Sequence, residues 1–381
     1  MLSLHTNNAA LSAQNSLSRT QSTLSTSMTR LSTGFRINSA MDDAAGLQIA
    51  TRLKAQTSGM AVAMRNTQNS ISMLQTAEGA LDEVTNILVR MKDLATQSAD
   101  GSSSAADKGA MQSEYDSLAS ELSNIIGNTT FGGAKLLTKN AIAADKTAAD
   151  GVAATALAAT ATPNTNFGNA QTDLGTAQGT YNTTPNDANK LALDAAKATY
   201  DAALKAKTLA DNKKDVTAAY ATAVTNSIGK TDGALSGSID FQIGASAGEK
   251  MSLALTTDVT ALHTKLRDVS VNYNAFGAAI SGTGTELTDS ASAMIDKLQA
   301  AVEAVSTVRS GMGAAANRLE HVHNNLANIS TNTKNATGRI MDVDFATESA
   351  TMTSNQMLMQ AGTAMLKQSN SMSSMVMSLL Q

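Results

Sequence analysis

Cysteine and tryptophan are absent from the 381 residues, proline occurs twice, histidine four times, and aromatic residues make up 3%. Without cysteine there is no disulfide framework, no zinc–thiolate site and no thiol nucleophile. Charge is scarce as well: Asp, Glu, Lys and Arg together make 16% of the chain, against about 25% in an ordinary soluble domain. With 28 basic and 32 acidic residues the net charge is −4. A nucleic-acid binder needs a basic stripe or aromatic stacking platforms, so no nucleic-acid partner is expected. No run of 18 apolar residues occurs, so no membrane-spanning helix and no membrane partner are expected. The opening Met1-Leu2-Ser3-Leu4-His5 has neither the basic start nor the apolar stretch of a secretory signal, and export by a cleavable signal peptide is not expected. What remains is a hydrophobic content of 42% led by alanine, a composition that favours long, closely packed helices over a globule built on large side chains. The length allows two or three domains.

Both prolines, Pro163 and Pro185, lie in the middle, leaving 1–162 and 186–381 free of this helix breaker. The first 41 residues carry three Arg (Arg19, Arg30, Arg36) and no Lys, Asp or Glu; from 349 to 381 the only charged side chain is Lys367. Both ends are nevertheless patterned. Leu17, Leu24 and Leu31 recur every seven residues, with Leu4 and Leu11 in an earlier phase. Met352, Met359 and Leu366 form one series near the other end; Leu358, Met365, Met372 and Leu379 form a second. Two series on one helix make an apolar surface wider than a two-stranded seam requires. Helices with almost no charge suit burial on several sides, where each charge would cost several kcal/mol to desolvate.

Residues 44–100 read as one helix of roughly 80 Å, with Leu74, Leu81 and Leu88, Val84 and Met91, and Ile87 and Leu94 at seven-residue spacing and Asp42-Asp43 at its start. A second helix runs over 104–127. On the return flank, 285–335, Leu298, Val305, Met312, Leu319 and Leu326 keep the same spacing beside a row of Met294, Ala301, Val308, Ala315, Val322 and Ile329. Ser238–Ile243 and Met251–Leu255 read as two strands joined by Gly244-Ala-Ser-Ala-Gly248, and Phe131-Gly-Gly133 suggests a short extended piece. The block 140–236 is dominated by Ala, Thr, Asn and Asp. There Thr184-Pro185-Asn186-Asp187 reads as a helix start with Thr184 as the cap and Pro185 in the first position. One helix carries Leu193, Tyr200 and Leu204, and a second carries Val216, Tyr220, Val224 and Ile228.

Chemistry is thinly represented. His321 and His323 are two apart and point to different helix faces; no H-E-x-x-H occurs, and no metal is expected. Gly229-Lys-Thr231 ends like a phosphate loop, but Val224 stands where the first glycine is required. Gly244-Ala-Ser246-Ala-Gly248 matches the string of a nucleophile elbow, yet it joins two strands rather than a strand and a helix, so a hairpin turn explains it. Asp42/Asp43 and Asp342/Asp344 sit where helix capping explains them. No catalytic residue, no cofactor and no enzymatic activity are expected, and the insert holds no histidine on which to build one.

Several long strings carry a resemblance. Arg30-Leu-Ser-Thr-Gly-Phe-Arg-Ile-Asn-Ser-Ala-Met-Asp-Asp-Ala-Ala-Gly-Leu-Gln-Ile-Ala50 resembles the N-terminal signature of bacterial flagellin, lateral-type flagellins among them. Thr6-Asn7, Leu11-Ser-Ala-Gln14, Gln75–Leu81, Asn128–Phe131 and Phe241–Gly244 fit as well. So do Arg339-Ile340, Asp342–Glu348, Gln360-Ala-Gly362 and Leu379-Leu380 near the end. Met41 and Gln381 stand where a lysine and a basic residue are common in that family. The resemblance covers about 1–139 and 237–381.

It implies a mainly α fold: long antiparallel helices, a terminal coiled coil, a helical bundle with a small β-hairpin region, and an inserted, α-containing variable outer domain. The implied domains are 1–43 with 343–381 (inner coiled coil), 44–139 with 237–342 (bundle), and 140–236 (surface insert). The implied function is that of a filament subunit which polymerises through its terminal helices; a hook–filament junction protein, which shares similar ends, is the alternative. Polymerisation would then use Leu17, Leu24, Leu31, Met352, Leu358, Met359, Met365, Leu366, Met372 and Leu379. The family's partners would be other copies of the chain, the flagellar export apparatus, an export chaperone at about 343–381, and the cap and hook-associated proteins. The location would be extracellular. Leu88–Gln97 resembles the stretch read by the flagellin-sensing Toll-like receptor: Arg90 and Leu94 match, Glu114 lies where a supporting acid belongs, and Val89 replaces a usual glutamine.

Overall fold

The computed structural model describes residues 7–140, 143–228, 230, 232–276, 280 and 282–379, without the side chains of 143–144 and 372–379. Leu4 and His5, and the side chains of Met372 and Leu379, lie outside the described residues. In chain order the elements are α1 (Asn8–Thr33), α2 (Ala44–Ala99), α3 (Ala105–Asn128), β1 (Thr130–Phe131), β2 (Ala134–Lys135), α4 (Ala143–Ala159), α5 (Ala161–Thr183), α6 (Asp187–Ser227), β3 (Ser238–Gln242), β4 (Lys250–Ala254), α7 (Thr256–Val269), α8 (Glu286–Met341) and α9 (Phe345–Leu379), with one 3₁₀ turn at Ala234–Ser236. The fold is mainly α, as the sequence implies. Two compact units divide the chain: Met1–Arg65 with Gly244–Glu249 and His323–Gln381, and Asn66–Ile243 with Lys250–Val322.

In the first unit α1 and α9 run antiparallel. Asn7 caps α1 by accepting from the Ala10 amide and reaches the Ser369 carbonyl with its own amide, 3.2 Å away. At the other end of α1, Gly34 takes the left-handed conformation (φ 73°) that glycine adopts without penalty. Past it, Phe35 and Asp342 form an isolated β-bridge, and Val343 N–H donates to the Gly34 carbonyl at 3.0 Å. Asp43 accepts from the Gly46 amide at the start of α2, and Asp344 from the Ala346 amide at the start of α9, so these carboxylates are caps. The turn between the hairpin strands packs on α2, where a Cβ on Gly59 would stand 2.7 Å from that of Ala245; only glycine allows the approach.

The second unit holds the main core. Leu74, Leu81, Val84, Leu88, Met91 and Leu94 of α2 share one cluster with Met111, Tyr115, Ala119, Leu122 and Ile126 of α3 and with Met294, Leu298, Ala301, Val305, Val308, Met312 and Leu319 of α8. The heptad rows are therefore packed within the chain here. The strands β3 and β4 pair antiparallel, with Ile239 opposite Leu253 and Phe241 opposite Met251, so one face of the hairpin joins the core while Asp240 and Ser252 alternate outward. The sequence does not signal α7, yet its Val259, Leu262 and Leu266 fill the same cluster.

The insert departs from expectation in three ways. The two helices read over Leu193–Leu204 and Val216–Ile228 are one continuous α6, because nothing between them breaks a helix. Its cap is Asn186, whose side chain accepts from the Asn189 amide at 2.8 Å, and not Thr184; Pro185 precedes the cap. Pro163 lies inside α5, at its third residue, where the amide would have no helical acceptor anyway. The insert's own core is small and built on Ala149, Ala221 and Val224. Its attachment is more specific. Tyr220 stacks with Phe276 at 6.5 Å, the Arg267 guanidinium lies 4.1 Å over the Tyr220 ring, and Lys139 pairs with Asp232 at 3.0 Å.

Candidate functional site

The α1–α9 pair sorts the two seven-residue series onto different faces. Ala10, Ala13, Leu17, Thr20, Leu24, Ser27 and Leu31 of α1 are buried or half-buried against α9, as are Glu348, Met352, Asn355, Met359, Gly362, Leu366 and Ser369 of α9 against α1. This alternating three-and-four spacing is that of a coiled-coil seam. Met352, Met359 and Leu366 thus face Leu17, Leu24 and Leu31 inside one chain. The other series points away: Leu11 is 53% exposed, Leu358 59% and Met365 67%.

The seam is a poor core by itself. Half of its positions are small or polar, and the Nε of Arg30 and the Nδ2 of Asn355 are buried without a hydrogen-bond partner, a cost to the isolated pair of about 1–3 kcal/mol for each such group. The nearest fixed charge pair, Arg30 with Glu348, is loose at 3.8 Å. The outward faces of α1 and α9 are uncharged over most of their length and expose large apolar side chains. Exposed apolar surfaces occur at protein–protein contacts, at membranes and in ligand grooves. In the same unit a groove of about 640 Å³ is lined by apolar Phe35, Leu47, Ala50 and Met341 together with polar residues that include Lys54, Lys334 and Asp342.

Arg90 and Glu114 meet on the surface of the second unit, the guanidinium donating from Nε at 2.8 Å and from Nη2 at 2.6 Å to one carboxylate oxygen. Leu94 is buried in the core beneath them, and Val89 is exposed. Ser246 sits in the hairpin turn, where its backbone N–H donates to the Glu249 carboxylate. Among the described residues no group of three or more His, Asp or Glu is gathered as metal ligands, and no helix is long and apolar enough to cross a membrane.

Sequence reasoning passes over two buried polar centres. In one, His263 donates from Nε2 to the Leu137 carbonyl at 2.8 Å and accepts at Nδ1 from the Tyr273 hydroxyl at 2.5 Å. The carbonyl can only accept, which fixes this tautomer. Burial holds the imidazole well below its usual range, at about 4. In the other, Gln112 donates from Nε2 to both Asp116 (2.9 Å) and Glu286 (2.8 Å) and accepts the Leu287 amide at 2.7 Å. The Gly284 amide and Asn272 Nδ2 complete Asp116, whose carboxyl burial raises to about 6. Both centres tie loops to helices, the first by a closed donor–acceptor set and the second with Asn272 Oδ1 left buried and unpaired. No periodic signal announces them, since each partner comes from a distant part of the chain.

Two family models match the chain. The bacterial flagellin N-terminal helical region matches residues 4–141, and the bacterial flagellin C-terminal helical region matches residues 295–380. Flagellin A of Vibrio anguillarum is 36% identical over 408 aligned residues, and flagellin A of Vibrio cholerae is 33% identical over 412; each alignment covers 100% of both chains. The B-type flagellin of Pseudomonas aeruginosa is 35% identical over 493 aligned residues, again with 100% of both chains covered. Matched at both helical ends and aligned along its whole length with such relatives, the chain belongs to the bacterial flagellin family and is a structural subunit that self-polymerises into the extracellular flagellar filament.

Proposed function

We propose that polymerisation is driven by the α1–α9 pair. Leu17, Leu24, Leu31, Met352, Met359 and Leu366 hold the two helices together, and the outward Leu358 and Met365 pack against other copies, a role assigned also to Met372 and Leu379, which continue the same seven-residue series. The observation that carries this reading is the exposure of Leu358 and Met365 on a stretch whose only charge is Lys367. Burial of apolar surface contributes about 25 cal/mol per Å², and a helix without charges gives up little hydration when covered. In this reading 1–43 and 343–381 form the filament's inner layer, 44–139 and 237–342 the next, and 140–236 the outer surface.

The same α9 surface would serve an export chaperone before assembly, because methionine side chains repack readily against alternative partners. Passage through the flagellar export apparatus in an unfolded state and contacts with cap and hook-associated proteins belong to this reading. So does recognition by the flagellin-sensing Toll-like receptor, which would meet the Arg90–Glu114 pair with Leu94 supporting it from below. The protein is read as having no catalytic activity, which the absence of histidine from the insert supports.

The test is Leu358→Asp, with Met365→Asp beside it. A charge at either position leaves the secreted monomer helical and stops filament growth, seen by electron microscopy of seeded protein. Filaments of normal length from both variants would refute the assignment of that surface.

A further inference from the structure

We propose that Met357 and Met365 are sites of reversible two-electron oxidation, and that their sulfoxides bar the subunit from the filament. The chain has 19 methionines, and the described ones range from enclosed, through half-buried (Met64, Met73, Met341, Met352, Met359), to exposed (Met28, Met41, Met357, Met365). Met60, Met91, Met251, Met294 and Met312 are enclosed in the cores of their units. Met357 is 61% exposed and, like Met365, lies on the outward side of α9. The inference rests on the assembly reading above, in which that side is covered by neighbouring copies.

The chemistry needs only access to sulfur. The thioether sulfur attacks one oxygen of hydrogen peroxide; the O–O bond breaks as the S–O bond forms. The transferred oxygen leaves its proton to the departing hydroxide, so water is released. Methionine loses two electrons and the peroxide gains them. No acid, base or metal from the protein is required, so exposure decides which methionines react first.

The product is costly at this place in particular. A sulfoxide replaces a soft apolar group with a strong hydrogen-bond acceptor. Covered by another subunit it would need a donor, and two of the hydroxyls on this stretch are already used: Thr353 donates to the Ser349 carbonyl at 2.9 Å and Thr363 to the Gln360 carbonyl at 2.8 Å. Lys367 is the only cation between 349 and 381. In the free subunit the same sulfoxide stays in water, so oxidation alters assembly without unfolding the monomer. The consequence is a filter at the growing end: subunits damaged before incorporation are passed over.

The test treats full-length monomer with hydrogen peroxide, maps sulfoxides by peptide mass spectrometry, and measures seeded polymerisation by sedimentation. Met357 and Met365 are expected to oxidise about tenfold faster or more than Met60, Met91, Met294 and Met312. The critical concentration should rise by about tenfold or more, equivalent to at least 1.4 kcal/mol, with the circular dichroism spectrum unchanged, and reductase treatment should reverse it. Each variant is read as the ratio of treated to untreated assembly. Met357→Leu/Met365→Leu moves that ratio toward one. Met41→Leu does not, although Met41 is 97% exposed, because it lies outside the outward row. Equal oxidation rates at core and surface, undiminished polymerisation of the oxidised chain, or rescue by Met41→Leu would overturn the proposal. Failure of the untreated chain to extend seeds would instead remove the assembly reading, and the filter with it.

Discussion

His263 donates to the Leu137 carbonyl from a site closed to water, and Asp116 accepts three N–H groups beside a second carboxylate. Their effects on stability run in opposite directions with pH. The unfolded chain protonates histidine near 6.5, the folded chain only near 4. As pH falls through that window the unfolded state gains protons first, and stability drops by an amount on the order of 3 kcal/mol. For Asp116 the folded chain binds its proton near 6 and the unfolded chain near 3.8. Stability therefore rises as pH falls from about 6 to about 4, by less than the shift alone would give because solvent reaches this carboxylate. The two slopes oppose each other in the wild-type chain. In His263→Gln the falling contribution is removed and the rising one remains. The urea midpoint of the variant should climb relative to wild type between pH 6.5 and 4, measured by circular dichroism; parallel curves would show that His263 is not held neutral by burial.

Among the helices, α6 depends on one side chain more than on its own core. Tyr220 lies between the Arg267 guanidinium of α7 and the Phe276 ring, whereas Ala149, Ala221 and Val224 bury little area by themselves. Tyr220→Ala removes the ring contacts and the cation–π contact, a loss of roughly 2 kcal/mol. Amide exchange should then quicken across 143–227 and stay unchanged over α2, α3 and α8; uniform quickening would mean that the insert and the main core unfold together. This attachment illustrates what the sequence could and could not disclose. The long helices α2 and α8 were legible because Leu74, Leu81 and Leu88, and Leu298, Val305 and Met312, keep one phase over many turns and face one core. The hairpin was legible from alternation, with Phe241 and Met251 inward. The helices α4 and α5 were not, because Ala, Thr, Asn and Gly set no phase, and Pro163 suggests a break although it stands in a first turn that tolerates it. Nor did the phase of an apolar series say which partner it meets: the row holding Leu24 and the row holding Met352 are turned toward each other inside the chain, while Leu358 and Met365 face outward from the same pair.

For the whole molecule, the large core and the candidate assembly surface use different residues. The core cluster extends from Leu74 to Leu319 and contains nothing from 1–43 or 343–381. The terminal helices, by contrast, contribute Leu24 and Ser27 as their buried residues over α1 and leave their large outward side chains uncovered. Removing 1–43 and 343–381 together therefore deletes the α1–α9 pair but no member of the main core. Its exposed end would be the ragged start of α2 and end of α8, whose loss of support costs little beside a cluster spanning α2, α3, α7, α8 and the hairpin. The truncated chain 44–342 should keep a cooperative thermal transition close to that of the full chain, followed by ellipticity at 222 nm. The same protein, seeded and salted as the full chain is, should yield no filaments by electron microscopy. Polymerisation of the truncated chain under those conditions would show that the filament is held by surfaces of 44–342, and burial of α1 and α9 between copies could no longer be the driving force.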